Sequence, residues 1–189
     1  MPAPSAPVTR RAFGLAVSST AALGTATLLA PQSGAAPLAT SACPTGWGSL
    51  PERRSAMVRG PVINVRTGRH ACYDRIVVDV RGTAAAGYDV RYVRTFRTDG
   101  EGRAIPLRGA ADLQIVVRAP SYPRGYTPRN RLALRDVTGY RTFRQVAWGG
   151  SFEGQTTIGL GVRARLPFRV WTMRSGTIRM VVIDVAHRW

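Results

Sequence analysis

From residue 59 onward, apolar and polar residues alternate with a period close to two. Tyr88, Val90 and Tyr92, for example, are separated by Asp89 and Arg91. Such alternation is typical of β-strands with one buried and one solvated face. The pattern predicts strands over residues 62–65, 75–81, 88–93, 113–118, 140–148, 156–162, 168–173 and 177–185, with glycine-containing turns between them.

Two runs, residues 76–80 and 181–185, depart from strict alternation. Both are β-branched stretches that end on an aspartate followed by valine, which predicts central strands covered on both faces. Buried carboxylates at Asp79 and Asp184 need hydrogen bonds or arginine partners. The likeness suggests two related halves. However, Arg75 lies four residues before Asp79 and Arg179 lies five before Asp184, so either the second run has a bulge or the arginines are not equivalent.

The order of predicted elements indicates the fold class. Strands follow strands without amphipathic crossover helices, which favours an all-β sandwich of two mainly antiparallel sheets with about eight strands. Residues 49–58 are the only plausible helix, and it is short. We expect residues 43–189 to form a single domain of ordinary size that folds without a metal.

The N-terminal 42 residues read as an export signal that is removed. Arg10 and Arg11 precede Phe13 and a stretch of small and apolar residues, which resembles a twin-arginine signal. The small-residue region that follows offers cleavage after Ala35, Ala39 or Ala42. The apolar stretch is shorter than the roughly 20 residues of a membrane span, so we expect no stable span after cleavage. A lipoprotein acylated at Cys43 is disfavoured because Thr40 stands where leucine is usual. The expected location is secreted or wall-associated.

Cysteine usage fits an exported chain. Cys43 and Cys72 are the only two cysteines, and in an oxidising compartment they predict one disulfide that ties the N-terminal segment to the first central strand.

The charge is strongly positive. All 27 basic residues are arginines against ten acidic residues, giving a net charge of +17. A GC-rich genome explains the missing lysine but not the excess charge, which favours anionic partners. Such partners include nucleic acid, anionic lipid and polyanionic wall polymer, and nucleic acid is the least expected of these for an exported protein.

The polar residues of the central runs read as structural rather than catalytic. We expect His70 to hydrogen-bond the turn before Cys72 and Asp74 to pair with Arg75. The predicted structural network consists of His70, Asp74, Arg75, Asp79, Arg179 and Asp184. No nucleophile or phosphate-binding motif is present, and two histidines cannot make a convincing metal site, so we expect no enzyme, cofactor or metal.

Residues 118–131, RAPSYPRGYTPRNR, and the GGSFEG stretch at 149–154 are the candidates for ligand contact. Rings offer stacking faces and arginines offer bidentate donors to carboxylate or phosphate. A plain solvated connection and a plain turn remain the competing interpretations. The predicted ligand-binding residues are Arg118, Tyr122, Arg124, Tyr126, Arg129, Arg131, Phe152 and Glu153.

Several ordered motifs carry a family resemblance. They are RTGRHACYDRIVVDV at 66–80, GYDVRYV at 87–93, FEG at 152–154, FRV at 168–170 and a terminal arginine-hydrophobic-DVAH pattern at 179–187. Together they resemble the AMIN-like domain of secreted actinobacterial proteins. The resemblance implies a β-sandwich related to the AMIN domain, a non-catalytic module that targets amidases and secretion proteins to peptidoglycan.

The leading expectation is therefore an exported, non-catalytic envelope module that binds anionic wall polymer, with peptidoglycan as the expected one. The alternative is an extracellular protein-interaction or inhibitor domain without glycan binding, in which the charge serves solubility alone.

Overall fold

A computed structural model describes Cys43 and residues 46–189, so the predicted export signal lies outside the described residues. The described part contains nine strands and no helix. They are β1 (Glu52–Arg54), β2 (Val62–Arg69), β3 (Tyr73–Arg81), β4 (Tyr88–Val93), β5 (Ala111–Val117), β6 (Phe143–Phe152), β7 (Gln155–Val162), β8 (Phe168–Ser175) and β9 (Ile178–Ala186).

The strands form two antiparallel sheets, one with the order β1-β4-β5-β7-β6 and one with the order β2-β3-β9-β8. Their inner faces meet in one apolar core that includes Ile76, Leu113, Ile158 and Ile183, all fully buried. The predicted all-β sandwich is confirmed. The predicted central strands are β3 and β9, which pair directly with each other.

The predicted helix over residues 49–58 is wrong. Glu52, Arg53 and Arg54 instead form a short strand whose partners are Val90, Asp89 and Tyr88 of β4. A short helix without a packed apolar face is marginal because helix nucleation is costly. The free edge of β4 offers backbone hydrogen bonds that such a segment can take.

The β3–β9 register also decides the relation between the two valine-rich runs. Arg75 lies opposite Asp184, whereas Arg179 lies opposite Val80, and the pairing continues without a bulge from Tyr73 to Arg81. The two arginines are therefore not equivalent. The resemblance of the two runs reflects the shared demands of neighbouring central strands.

A second, smaller core lies on the outer face of the five-stranded sheet. Phe96 and Ile105, from the β4–β5 connection, pack against Ala147 of β6. Space for the Phe96 ring comes from Gly149 and Gly159, where an added Cβ would lie 2.8 Å and 2.5 Å from ring carbons. The glycines at these strand positions thus allow the connection to lie flat on the sheet.

One side of the sandwich is closed by residues 46–54, which we call the strap. Gly48 accepts a backbone hydrogen bond of 2.8 Å from Phe168 at the edge of β8. The Glu52 carboxylate accepts one of 3.1 Å from the Val170 N–H on the same edge. The following residues pair with β4 of the other sheet, so the strap joins the edges of both sheets.

The predicted disulfide is confirmed, and its first cysteine precedes the strap by three residues. Cys43 and Cys72 are bonded, with their Cα atoms 5.2 Å apart.

The opposite side is closed by residues 118–142, the β5–β6 loop. At the edge of β2, Val62 donates to the Pro120 carbonyl and accepts from the Tyr126 N–H, both at 2.7 Å. At the edge of β6, Trp148 donates to the Arg131 carbonyl at 2.6 Å. This loop is therefore bonded to both sheets along its length.

Candidate functional site

The described residues form a cavity of about 670 Å³, which we call the cleft. Its walls come from the turn at 98–103, from residues 121–131 of the β5–β6 loop and from the end of β6 at 148–152. A volume of this size lies within the range of small-ligand sites in proteins.

Aromatic rings line the cleft from its floor to its rim. Trp148 is almost completely buried, and its ring lies 5.6 Å from that of Tyr126. Tyr122 and Phe152 stand at the rim with 47% and 53% of their surfaces exposed. Exposed rings beside a polar cavity offer flat apolar faces against which a sugar ring can stack.

Hydrogen bonds hold the loop wall of the cleft in place. The Ser121 N–H donates to Ser151 Oγ at 2.8 Å, and the Gly154 N–H donates to the Tyr122 hydroxyl at 3.1 Å. Gly125 lies so close to β2 that an added Cβ would be 2.6 Å from the Val62 carbonyl oxygen. The rings are therefore presented by a fixed loop.

The opposite wall carries the charged groups Asp99, Glu101 and Arg103. Asp99 Oδ1 accepts a 2.9 Å hydrogen bond from Thr157, while Oδ2 is buried without a partner in the described part of the chain. Burial raises the pKa of Asp99, and the bond from Thr157 opposes that shift. Glu101 and Arg103 are exposed and lie 3.8 Å apart.

A separate polar cluster covers the outer face of the four-stranded sheet. Asp184 is fully buried, and its carboxylate oxygens accept hydrogen bonds of 2.7–3.1 Å from Arg75 and Arg169. The register explains this arrangement, since Arg75 and Arg169 lie directly opposite Asp184 on the two neighbouring strands. The two guanidinium groups satisfy the buried charge from either side.

Three aromatic rings complete that cluster. The Arg169 guanidinium lies 4.2 Å from the Trp47 ring centroid and 4.6 Å from that of Trp171. Arg75 lies 5.0 Å from Trp171 and 5.2 Å from Tyr73. Cation–π contacts of this kind fix the strap residue Trp47 against the sheet. The layer also explains why central strands are covered on the face that points away from the core.

A family model described as the AMIN-like domain matches residues 60–187. The chain belongs to the AMIN-like domain family. Comparison with curated proteins and with solved structures gives no match. Membership indicates a module related to the cell wall. Together with the disulfide, it is consistent with an extracellular location. Among the described residues, no helix is long and apolar enough to span a bilayer.

Half of the predicted ligand-binding residues of this AMIN-like domain meet in one place. Tyr122, Tyr126, Arg131 and Phe152 all line the cleft. Arg118, Arg124, Arg129 and Glu153 are not among the described residues that line it.

Those four residues lie elsewhere for identifiable reasons. Arg118 is half-buried where its backbone bonds Gly87 and Val58, and Arg124 is exposed. Arg129 lines a separate cavity together with Arg135. Glu153 occupies the β6–β7 turn with a φ of 47°.

Several cleft residues of the AMIN-like domain escaped sequence reasoning. The sequence places Trp148 in a predicted strand, and the structure shows that this buried strand residue also lines the cleft. Asp99, Glu101 and Arg103 lie in a segment that the sequence predicts only as a turn, and they line the cleft as well. No local pattern places residues 98–103 beside residue 150. The glycines on β6 and β7 that admit Phe96 are the one signal that a connection crosses this face.

The partners within the predicted structural network differ from the expectation in several places. Asp74 does not pair with Arg75 but accepts backbone hydrogen bonds from Thr142 and Phe143 and lies 3.2 Å from the His187 ring. This carboxylate lies at the beginning of β3, beside the beginning of β6, so it joins the two sheets at that point.

The remaining members bond locally or across strands. Asp79 pairs with Arg66 of β2 at 2.8 Å. Arg179 does not pair with Asp184 but donates to the Thr83 carbonyl. The His70 ring stacks on Tyr73, and the His70 backbone N–H bonds the Tyr73 carbonyl across the turn.

No group of three or more histidine, cysteine, aspartate or glutamate residues in the described part of this AMIN-like domain is placed to hold a metal ion.

Proposed function

We propose that this AMIN-like domain is an exported, non-catalytic envelope module that binds an anionic wall polymer, peptidoglycan in particular, in the cleft. The observation that carries the proposal is the convergence of Tyr122, Tyr126, Trp148 and Phe152 with Arg131 around one cavity. Rings supply stacking faces for sugar rings, and an arginine supplies a charge-assisted donor for carboxylate or phosphate.

The positive charge supports an anionic polymer. The described ion pairs join five carboxylates to seven side chains, namely Arg53, Arg66, Arg75, Arg91, Arg103, Arg169 and His187, so most of the arginines in the described part of the chain are left to act on the surroundings. A field of this sign raises the local concentration of a polyanion and speeds encounter.

The cleft carboxylates favour binding over hydrolysis. Glycoside hydrolysis uses two carboxyl groups that both reach the substrate. In the cleft, Asp99 Oδ2 is shielded from solvent, and Oδ1 is engaged by Thr157. Glu101 alone is freely exposed, so the second reacting carboxyl group has no evident counterpart on the described cleft wall.

Co-sedimentation with purified sacculi, with and without teichoic acid, tests the binding proposal. We expect Phe152→Ala and Arg131→Gln each to weaken binding about tenfold, as the loss of an aromatic or arginine contact residue does at other interfaces. Arg124→Gln is the matched control, since it removes the same charge from the same loop outside the cleft. Equal losses for Arg131→Gln and Arg124→Gln would point to diffuse charge instead of the cleft.

Ionic strength separates stacking from charge in the same assay. Binding that depends on the rings should persist when salt rises from low to moderate, because screening weakens exposed charge pairs and not stacking. Absence of binding under every condition would reject the proposal. A stoichiometric protein captured from culture supernatant would then support the protein-interaction alternative.

Export is tested separately by mass spectrometry of protein from the culture medium. A mature N-terminus at or before Cys43 agrees with cleavage of a twin-arginine signal, and an intact N-terminus contradicts it.

A further inference from the structure

A second cavity adjoins the cleft and shares one wall with it. This hollow has a volume of about 390 Å³ and is lined by Met57, Val58, Arg59, Pro120, Tyr122 and Gly154. Tyr122 also lines the cleft, so the same ring stands between the two spaces. Both volumes lie in the range of small-ligand sites.

The shared wall is fixed from both sides. The Tyr122 hydroxyl accepts a hydrogen bond from the Gly154 N–H, and the preceding residue, Ser121, donates to Ser151. Met57 closes the hollow against Gly154, where an added Cβ would lie 3.2 Å from the methionine methyl carbon. The two spaces are therefore neighbouring compartments of preformed shape.

The compartments differ in chemistry. The cleft combines rings with charged and hydroxyl groups, whereas the hollow is walled by methionine, valine, proline and the tyrosine ring. The single charged group of the hollow is Arg59, which is exposed and belongs to none of the ion pairs in the described part of the chain. An apolar space with one unpaired guanidinium group complements a small apolar side chain next to a carboxylate.

We propose that the cleft and the hollow form one site for a glycan that carries a short peptide. The sugar lies in the cleft, and the peptide crosses Tyr122 so that a small apolar residue and its free carboxylate occupy the hollow beside Arg59. This inference rests on the proposed function, which requires only that the cleft bind the wall polymer. It adds that the recognised form of the polymer is the one that bears peptides.

Calorimetry with defined probes tests the inference. The probes are the N-acetylglucosaminyl–N-acetylmuramyl disaccharide alone, the same disaccharide with a pentapeptide ending in D-alanyl-D-alanine, and the free pentapeptide. We expect the peptide-bearing disaccharide to bind at least roughly tenfold more tightly than the bare one, the discrimination that one apolar pocket supplies.

Two variants assign the gain to the hollow. Met57→Glu places a carboxylate beside Arg59, and Arg59→Gln removes the cation. Each should reduce the affinity for the peptide-bearing probe to that for the bare disaccharide and leave the latter unchanged. Met173→Glu is the matched control for the first, because the two methionines have similar exposures of 52% and 48% and Met173 lies on β8. Arg174→Gln is the control for Arg59→Gln. The thermal unfolding midpoints of the four variants verify that each is folded.

The outcomes separate the two proposals. Equal binding of both disaccharides by the wild-type domain would overturn the inference and leave the cleft as a glycan site. Free pentapeptide that binds as tightly as the peptide-bearing disaccharide would also overturn it, since the hollow would then act alone. Failure of all three probes, together with failure on sacculi, would reject the proposed function itself.

Discussion

Asp184 shows how single residues hold this sandwich together. A fully buried carboxylate is costly unless several donors satisfy it. Here Arg75 and Arg169 reach it from the two neighbouring strands, and each guanidinium group also lies over aromatic rings. One acidic residue thus connects three strands of the four-stranded sheet.

Replacement of Asp184 by asparagine should lower the free energy of unfolding by about 3 kcal/mol. This value is at the lower end of the range for broken buried ion pairs, because both arginines remain partly hydrated. Urea denaturation measures the change. Glu101→Gln is the control, since its ion pair with Arg103 is exposed and such pairs contribute little. Similar small effects of the two substitutions would contradict a structural role for Asp184.

Burial of Asp99 should make the stability of the domain depend on pH. Burial raises its pKa above the ordinary value of 3.8, so the folded state holds the proton more tightly than the unfolded state. Its ionisation therefore costs stability, and that cost develops as pH rises from the ordinary pKa through the raised one.

Asp99→Asn should consequently be more stable than the wild type at neutral pH, and the advantage should shrink as pH falls towards 4. Urea denaturation midpoints of both proteins, determined across pH 3–8, measure this difference in stability. Glu52 also has a pKa raised by burial, but it is present in both proteins and cancels in the difference. A constant difference across the range would show that Asp99 does not titrate with a raised pKa.

The sequence predicted which aspartates are buried and need ion-pair partners, but it did not predict correctly which arginines are those partners. The valine-rich runs indicated that Asp79 and Asp184 are buried, and both are. Asp79 pairs with Arg66, and Asp184 pairs with Arg75 and Arg169. All three arginines lie on strands other than that of their partner, and the register that brings them close depends on the whole sheet. Local spacing could suggest only Arg75 and Arg179.

At the scale of elements, alternation located the strands that have one face in the core, and the two continuous β-branched runs located β3 and β9, which are covered on both faces. β1 was missed since its three residues, Glu52–Arg54, have no apolar face and are a strand only through pairing with β4. The cleft was predicted only in part, because one of its walls is also formed by contacts between segments that are distant in the sequence. The rings and arginines of the β5–β6 loop are visible in the sequence, while the turn at 98–103 reaches the cleft by packing across β6 and β7.

That packing depends on Gly159. Its replacement by alanine would bring a Cβ to 2.5 Å from the Phe96 ring and force the β4–β5 connection away from the sheet. We expect a loss of about 1–3 kcal/mol, as for other overpacked sites. Because the Asp99 turn follows Phe96, binding to sacculi should weaken as well.

Gly68→Ala provides the control for that experiment. Gly68 also lies within a strand, yet an added Cβ there meets only the His70 ring at an ordinary 3.7 Å. Thermal denaturation should show it close to the wild type. A Gly159→Ala protein as stable as Gly68→Ala would mean that Phe96 moves at little cost.

At the scale of the whole domain, the strap and the β5–β6 loop close the two sides where sheet edges would otherwise be open. The strap bonds β8 and pairs with β4, and the loop bonds β2 and β6. The disulfide ties the chain to Cys72 three residues before the strap begins, and the loop forms one wall of the cleft. One closure is therefore structural, and the other also carries the candidate site.

Removal of the disulfide by replacing Cys43 and Cys72 with serine should cost up to about 3–4 kcal/mol, the chain-entropy estimate for a closed loop of this size. Hydrogen exchange followed by mass spectrometry should show faster exchange at the Phe168 and Val170 amides, whose acceptors lie on the strap. The Trp148 amide, bonded to the β5–β6 loop, is the internal control. Equal acceleration at Trp148 would indicate global loosening.

The strap has a consequence for the behaviour of many copies together. An uncovered strand edge is a template for another chain, and natural sheets avoid self-association by blocking such edges. In the oxidised domain, the strap blocks the beginning of β8 and the outer side of β4 at once. A reduced chain that loses the strap would expose both edges together, so reducing conditions should promote intermolecular sheets and precipitation.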